Sequence, residues 1–318
     1  ASTNAVITNS TGAVTASDTA TVAQATTIDA LAKAVVFAVS DTAAAIAAST
    51  SDALDEATSV TVSNATTIAQ LTTIDALYDG IITYTSMTDT ATNLATNTGG
   101  YVTGSVDVTI TGSVNVAKLK AINAETSGNI TLNVTNDSLF GTAVDLAAAF
   151  VGTVTTHTGT VIITDEPTSA QLKTINDATN GAITLDDVDG ALSGTASDLV
   201  DGLAGTITGY EGNITVTDVA TIAQVTTIDT ATTGTLTVAT ITDTAANIAA
   251  STNDVIANSM GAVSASDTAT TAQADTISAL ATAVVYSVSG TAAEIVAASS
   301  AARNEAVNIT ITDDATIA

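Results

Sequence analysis

The sequence predicts an α/β fold made of repeated strand–helix units, and three observations support this prediction. Runs such as "ITVTD" at 214–218 alternate apolar β-branched residues with Thr or Ser, the pattern of a strand with one buried face. Alanine-rich stretches with helical spacing follow these runs, and alanine is the strongest helix former. Both kinds of segment recur at regular intervals, which is typical of a repeat protein.

Two kinds of repeat alternate along the chain. The A repeat contains Ala-Thr-Ile-Ala-Gln followed by Thr-Thr-Ile-Asp-Ala, and Lys118 replaces the glutamine in a degenerate copy. The B repeat is built on "DTAAxIAA". A and B interleave, so a structural unit recurs about every 25 residues. The A repeats are marked by Gln24, Gln70, Gln171, Gln224 and Gln273, and the B repeats by Thr42, Thr90, Thr142, Thr195, Thr244 and Thr291.

A longer period includes both repeats. Residues 1–69 align without a gap on residues 250–318, with 43 identities and an offset of 249 residues. We therefore expect residues 1–318 to form a single repeat array that begins and ends within a repeat and is a fragment of a longer chain. The repeats are more degenerate at about 99–212, where a binding site is expected if there is one. That region contains Lys118, Lys120, Lys173, His157, Glu166 and Pro167.

Strands joined by short helices must run parallel, with right-handed crossovers that place every helix on the same face of the sheet. The sequence therefore predicts an open right-handed solenoid, with about twelve parallel strands in one sheet and helices on one face. An eight-stranded barrel fits less well, because the 249-residue period contains ten units. A β-helix of about 25 residues per coil is the alternative.

An acid stands close to the predicted start of many helices, where an N-cap belongs. Stacked repeats would arrange these acids in a column along one edge, and their mutual repulsion would be offset in part by the helix N-termini. The predicted N-caps are Asp18, Asp41, Asp89, Asp218, Asp243 and Asp267.

The composition excludes several classes of function. Five basic residues accompany 32 acidic ones, a net charge of −27, so nucleic acid and anionic membrane surfaces would repel the chain. No apolar run is long enough to span a bilayer, so we expect no membrane insertion. The chain has no cysteine, which excludes disulfides and thiolate metal sites.

Motifs that would indicate catalysis are missing from the sequence. His157 is the only imidazole and no G-x-S-x-G elbow accompanies it, so we expect an exposed histidine and a protein that is not an enzyme. Asp186, Asp187 and Asp189 form an oxygen-rich cluster that fits Ca²⁺, although the glutamate that closes an EF-hand loop is missing. A solvated turn is the alternative for these three acids. The outward Thr and Ser rows resemble those of ice-binding proteins, or reflect only the β-propensity of threonine.

The repeats resemble a known kind of protein. "SDTATVAQATTIDAL" and "ITDTAANIAAS" are similar to the Ala/Thr/Asp-rich repeat regions of giant bacterial surface and filament proteins, particularly cyanobacterial and other marine ones. This resemblance implies secretion, an extracellular or cell-surface location and often Ca²⁺, but the G-G-x-G-x-D calcium repeat is missing. We expect a non-catalytic structural segment of a filament, surface layer or giant surface protein, whose partners are further copies of the same array. The alternative is an adhesin or ligand-binding module, with ice as one possible ligand.

Overall fold

The computed structural model describes residues 7–187, 189–205, 207 and 210–314. It confirms an α/β protein in which strands and helices alternate along the chain. Every strand pairing within the described residues is parallel, and it joins strands that are neighbours in sequence. A parallel pair needs a crossover connection, and the alanine-rich helices provide it.

The strands are short, and so are the helices between them. The strands are β1 (Val14–Thr15), β2 (Val35–Asp41), β3 (Ala57–Val62), β4 (Ile82–Thr83), β5 (Ser86–Thr90), β6 (Asp107–Thr111), β7 (Ile130–Leu132), β8 (Leu139–Gly141), β9 (Val161–Ile163), β10 (Ile183–Leu185), β11 (Leu192–Gly194), β12 (Ile214–Ala220), β13 (Leu236–Asp243), β14 (Val263–Thr270), β15 (Val284–Gly290) and β16 (Asn308–Ile311). The helices are α1 (Val22–Asp29), α2 (Ala43–Ala47), α3 (Ile68–Leu77), α4 (Ala91–Thr96), α5 (Val116–Glu125), α6 (Ala143–Phe150), α7 (Ser169–Asp177), α8 (Ala196–Leu203), α9 (Ile222–Ala231), α10 (Ala245–Ala250), α11 (Asn253–Ala257), α12 (Thr271–Ser278), α13 (Ala292–Ala297) and α14 (Ser300–Glu305).

The described strands form four sheets, so the prediction of one continuous sheet is wrong. The sheets run β1 to β4, β5 to β7, β8 to β10 and β11 to β16. Each break falls inside a B repeat whose strand is split in two, between β4 and β5, β7 and β8, or β10 and β11. The segments 133–138 and 186–191 at the second and third breaks each contain an insertion of four residues, because 130–141 and 183–194 span 12 residues where the unbroken strand β13 spans eight. Where the inserted backbone no longer pairs with the neighbouring strand, the sheet ends.

The chain divides into two compact units, each with its own core. One consists of Ala1–Asp137 with Ala148–His157, and the other of Ser138–Ala147 with Thr158–Ala318. Leu71 and Leu119 are fully buried in the first unit, and Leu172 and Ile228 in the second.

Burial alternates along the strands, as the sequence pattern predicts. In β2, Val35, Phe37 and Val39 are buried while Val36 between them is 42% exposed. Burying one such side chain contributes about 1.5–3 kcal/mol. Helices of five to ten residues are marginal in isolation. Their stability must therefore come from packing and from the bonds at their ends.

Candidate functional site

The repeated glutamine closes a capping box at the start of the A-repeat helices. In α3, the Thr67 hydroxyl accepts a hydrogen bond from the backbone N–H of Gln70 at 3.1 Å, and Gln70 Oε1 accepts from the Thr67 N–H at 3.0 Å. This arrangement satisfies two donors that a helix start leaves unpaired. The same reciprocal pair opens α1, α7, α9 and α12, through Thr21 and Gln24, Thr168 and Gln171, Thr221 and Gln224, and Thr270 and Gln273.

The repeated threonine of the B repeats is the N-cap of the helix that follows it. The Thr244 hydroxyl, for example, accepts from the Asn247 N–H at 3.2 Å. The prediction that the repeated acids are the N-caps is therefore wrong. The acid precedes the capping threonine by one residue in the B repeats and by three in the A repeats, too early to cap its own helix. The threonine caps are Thr42, Thr90, Thr142, Thr195, Thr244 and Thr291.

The repeated acids bind instead to the helix of the preceding repeat. A side-chain oxygen accepts from the first backbone N–H of that helix, 19 to 22 residues earlier in the chain. We call this set of bonds the capping ladder. Its members are Asp41 with Val22 at 3.1 Å, Asn64 with Ala43 at 2.8 Å, Asp89 with Ile68 at 3.0 Å, Asp165 with Ala143 at 2.6 Å, Asp218 with Ala196 at 2.8 Å, Asp243 with Ile222 at 2.9 Å, Asp267 with Ala245 at 2.6 Å and Asp313 with Ala292 at 2.7 Å.

Two of these acids are buried and bind three donors each. Asp243 is 8% exposed and accepts from the Ile222 N–H, from the Thr244 N–H at 2.7 Å and from Asn247 Nδ2 at 2.8 Å. Asp89 is 9% exposed and has the equivalent three partners. Hydrogen bonds to a carboxylate are strong, and a helix N-terminus favours negative charge. These contacts explain how the fold tolerates a series of acids near the starts of its helices.

At Gly194 and Gly290, glycine replaces the acid and the preceding helix starts with a hydroxyl residue. At Gly194, an added Cβ would come within 1.8 Å of Ser169 Oγ, at the first position of α7. At Gly290, it would meet the Cγ2 atom of Thr271, the first residue of α12, at 3.1 Å. The hydroxyl residue therefore occupies space that the acid side chain fills in other repeats.

A second set of contacts joins the C-terminal part of an A helix to the next repeat. Asn123 Nδ2 donates to the Ala149 and Val151 carbonyls at 3.0 and 2.7 Å, at the end of α6. In α12, Asp275 lies three residues before the position that corresponds to Asn123. It accepts a hydrogen bond at 2.7 Å from the N–H of Ser299, the N-cap residue of α14. The bonds with Ser299 lower the pKa of the Asp275 carboxyl. The Asn123 amide thus donates to carbonyls of the next repeat, and the Asp275 carboxylate accepts from a backbone N–H of the next repeat.

The basic side chains of the degenerate region also contact neighbouring repeats. Lys118 Nζ donates to Thr92 Oγ1 at 3.0 Å. Lys173 Nζ lies 2.8 Å from Asp177 and 2.9 Å from Asp201, so it joins α7 to α8. Hydrogen bonds to these two carboxylates raise the pKa of Lys173. These two lysines are therefore engaged in contacts between helices.

Asp186, Asp187 and Asp189 lie in the insertion between β10 and β11, and all three are exposed. Val188, between them, lies outside the described residues. Among the described residues, no group of three or more His, Asp or Glu side chains could hold a metal ion. The calcium site therefore stays a prediction.

His157 is fully buried, so the prediction of an exposed histidine is wrong. Its Nε2 atom lies 2.8 Å from the Asp137 carbonyl oxygen, and its ring centroid lies 5.9 Å from that of Phe150. A carbonyl oxygen only accepts, so Nε2 carries a proton. Burial lowers the pKa of the imidazole.

Hydroxyl side chains form rows across the sheets. Thr88, Thr109 and Thr131 are register partners in β5, β6 and β7, and each is at least partly exposed. Neighbouring parallel strands lie about 4.8 Å apart, so the hydroxyls repeat at that spacing. In the separate sheet of β8 to β10, Phe140 and Ile162 are register partners at the corresponding positions and carry no hydroxyl.

Comparisons with protein-family models, curated proteins and solved structures find no match for this chain. Within the residues that the structure covers, no helix is both long enough and apolar enough to cross a membrane. Every buried side-chain nitrogen and oxygen in that part of the chain has a hydrogen-bond partner.

Proposed function

We propose that the chain is a non-catalytic structural segment of an extracellular filament, surface layer or giant cell-surface protein. The capping ladder is the observation that supports this proposal. An acid in one repeat completes the helix start of the repeat before it, so each added repeat stabilises its neighbour. Energetics of this nearest-neighbour kind are typical of extended arrays. The residues that define the repeats cap the helices and form the contacts between repeats. This agrees with a structural role, in which the chain supplies length and an extended surface.

In this proposal, the repeats of each compact unit form an open right-handed α/β solenoid with its helices on one face. Sequential parallel pairing and one-sided burial of the strands support that arrangement. The partners are further copies of the same array, within one chain or between chains. The acidic surface suits a saline medium, where counterions screen the charge.

Electron microscopy of native material tests the proposal. Ten strands at about 4.8 Å each advance roughly 48 Å along the stacking direction. We expect extended fibres or arrays with an axial repeat of that order, adjusted by superhelical curvature. Isolated compact particles in material taken directly from the source would contradict the proposal.

The hydroxyl rows favour a second candidate, an adhesin or ligand-binding module that recognises a regular surface such as ice. The in-register threonines of β5, β6 and β7 support it. Growth of ice crystals in the presence of the protein is the measurement. The candidate predicts inhibition that Thr109→Lys abolishes and that Lys120→Ala, on helix α5, leaves intact. Equal ice growth with and without the protein would exclude ice as the ligand.

A further inference from the structure

His157 and Tyr210 occupy the same position in repeats 53 residues apart. The aligned neighbourhoods include Gly141 with Gly194 and Gly159 with Gly212. Each ring hydrogen-bonds a backbone carbonyl 20 residues earlier: His157 Nε2 bonds the carbonyl of Asp137, and the Tyr210 hydroxyl that of Gly190. Both carbonyls lie in the insertions that split the B strands. Each ring therefore binds the backbone of the insertion that precedes it in the chain.

The contact of His157 extends to a helix start through Asp137. Its carbonyl binds the imidazole, while its carboxylate accepts from the Val114 N–H at 2.9 Å and from Ser113 Oγ at 3.1 Å. Ser113 and Val114 lie just before α5, whose Leu119 is fully buried. Movement of Asp137 would therefore release the backbone ahead of α5.

We propose that His157 is an acid-released latch, in which proton uptake by the buried ring opens the insertion at residues 133–138 and frees the start of α5. The imidazole is fully buried against Phe150, and a charge there loses its hydration. The charged side chain that acts on the ring is Asp137, and its carboxylate is already bound to Ser113 and Val114. Charging the ring therefore favours the opened state, where water solvates it.

The direction of the pH effect follows from the pKa of the imidazole. Burial lowers this pKa from 6.5, and the hydrogen bond to Asp137 together with the charge of that residue raises it in part. Below pH 6.5 the opened state takes up a proton that the closed state does not, so closure is fully stable above pH 6.5 and is lost as pH falls.

Tyr210 provides an internal reference for this behaviour. Burial, together with the charges of Glu166 and Asp187, raises the pKa of Tyr210 to about 12. The phenol therefore stays neutral through the acid range, and its contribution to stability is lost only in strong alkali. The same position thus carries an acid-sensitive ring in one repeat and an insensitive ring in another.

Hydrogen exchange of the Val114 amide tests the proposal directly. After correction for the intrinsic pH dependence of exchange, we expect the opening constant in the wild-type protein to rise about tenfold for each pH unit below ~6.5. His157→Tyr installs the ring of the counterpart repeat and should remove most of this rise. Tyr210→His should create a similar rise at residues 186–191. Equal acid sensitivity in wild-type and His157→Tyr proteins would overturn the proposal.

A second measurement needs no variant, so it holds even if a substitution prevents folding. His157 is the only histidine, and its ring signals in a nuclear magnetic resonance spectrum of selectively labelled protein are therefore unambiguous. A titration below pH 6.5 that coincides with loss of Val114 protection supports the latch. Titration at or above 6.5, or protection that persists after the ring is charged, would overturn it.

Discussion

At the scale of single residues, one carboxylate can hold the starts of two helices. Asp243 accepts from the first N–H of α9 and also from Thr244 and Asn247, at the start of its own helix α10. The sequence correctly placed such acids near helix starts. It could not identify their partners, because the decisive N–H belongs to another repeat and becomes a neighbour only when the strands pair in register.

Asp243→Ala should destabilise the protein far more than Asp218→Ala. The first change leaves three donors unpaired around a site that is 8% exposed, at a cost of about 3 kcal/mol. The second removes one bond to Ala196 at an exposed position, at a cost of about 1 kcal/mol. Urea unfolding of the two variants measures the difference. Equal losses would show that burial does not set the strength of the ladder.

The exchange of acid for glycine gives a second prediction at this scale. Gly194→Ala should cost about 1–3 kcal/mol, because the new methyl group would collide with both Oγ and Cβ of Ser169. Gly290→Ala is the matched control. Its nearest contacts would be Thr271 Cγ2 at 3.1 Å and Glu294 Oε2 at 3.2 Å, which shifts of a few tenths of an ångström relieve, so the change should stay within about 1 kcal/mol. Thermal melting that ranks the two variants in the opposite order would contradict this account.

At the scale of elements, the stability of the short helices depends on the hydrogen bonds at their ends. A five- or six-residue helix such as α2 or α10 has few internal bonds, so caps and ladder contacts form a large part of its hydrogen bonding. This explains why threonine recurs at the starts of the B-repeat helices and glutamine in the capping boxes of the A-repeat helices.

Thr221→Ala tests the cap of α9. Loss of the hydroxyl that accepts from Gln224 should cost about 1 kcal/mol of unfolding free energy. Thr226→Ala, in the same helix, is the control. Its hydroxyl donates to the Ile222 carbonyl within the same helix and caps no helix end. The change should therefore be neutral or slightly stabilising. Chemical denaturation in which both variants lose the same stability would argue against the capping role.

The order of the elements could be predicted from the sequence, but the breaks in the sheets could not. Alternating Thr and Val at β12, followed by Ala-Thr-Ile-Ala-Gln, is enough to predict a strand and then a helix. The insertions at 133–138 and 186–191 appear in the sequence only as longer spacings between repeats. The point at which their backbone stops pairing with the neighbouring strand depends on tertiary contacts. The burial of His157 was missed for the same reason, although its correspondence with Tyr210 was a usable signal.

At the scale of the whole molecule, the net charge of −27 makes cations the main external variable. If Asp186, Asp187 and Asp189 bind Ca²⁺, chelation should lower the melting temperature, and Asp187→Asn should remove most of that effect. Melting curves in sodium chloride of equal ionic strength separate specific binding from general screening. A melting curve that a chelator leaves unchanged would identify these three acids as solvated turn residues.

The central claim is that each acid of the ladder stabilises the repeat before its own. Hydrogen exchange of Asp243→Ala, resolved to single amides, tests this claim most directly. Asp243 accepts from the Ile222 amide, 21 residues upstream. We predict that the Ile222 amide loses protection together with the Thr244 amide, whereas Asp218→Ala leaves Ile222 protected. Loss of protection confined to Thr244 and the start of α10 would show that the acid serves only its own helix and would contradict the account.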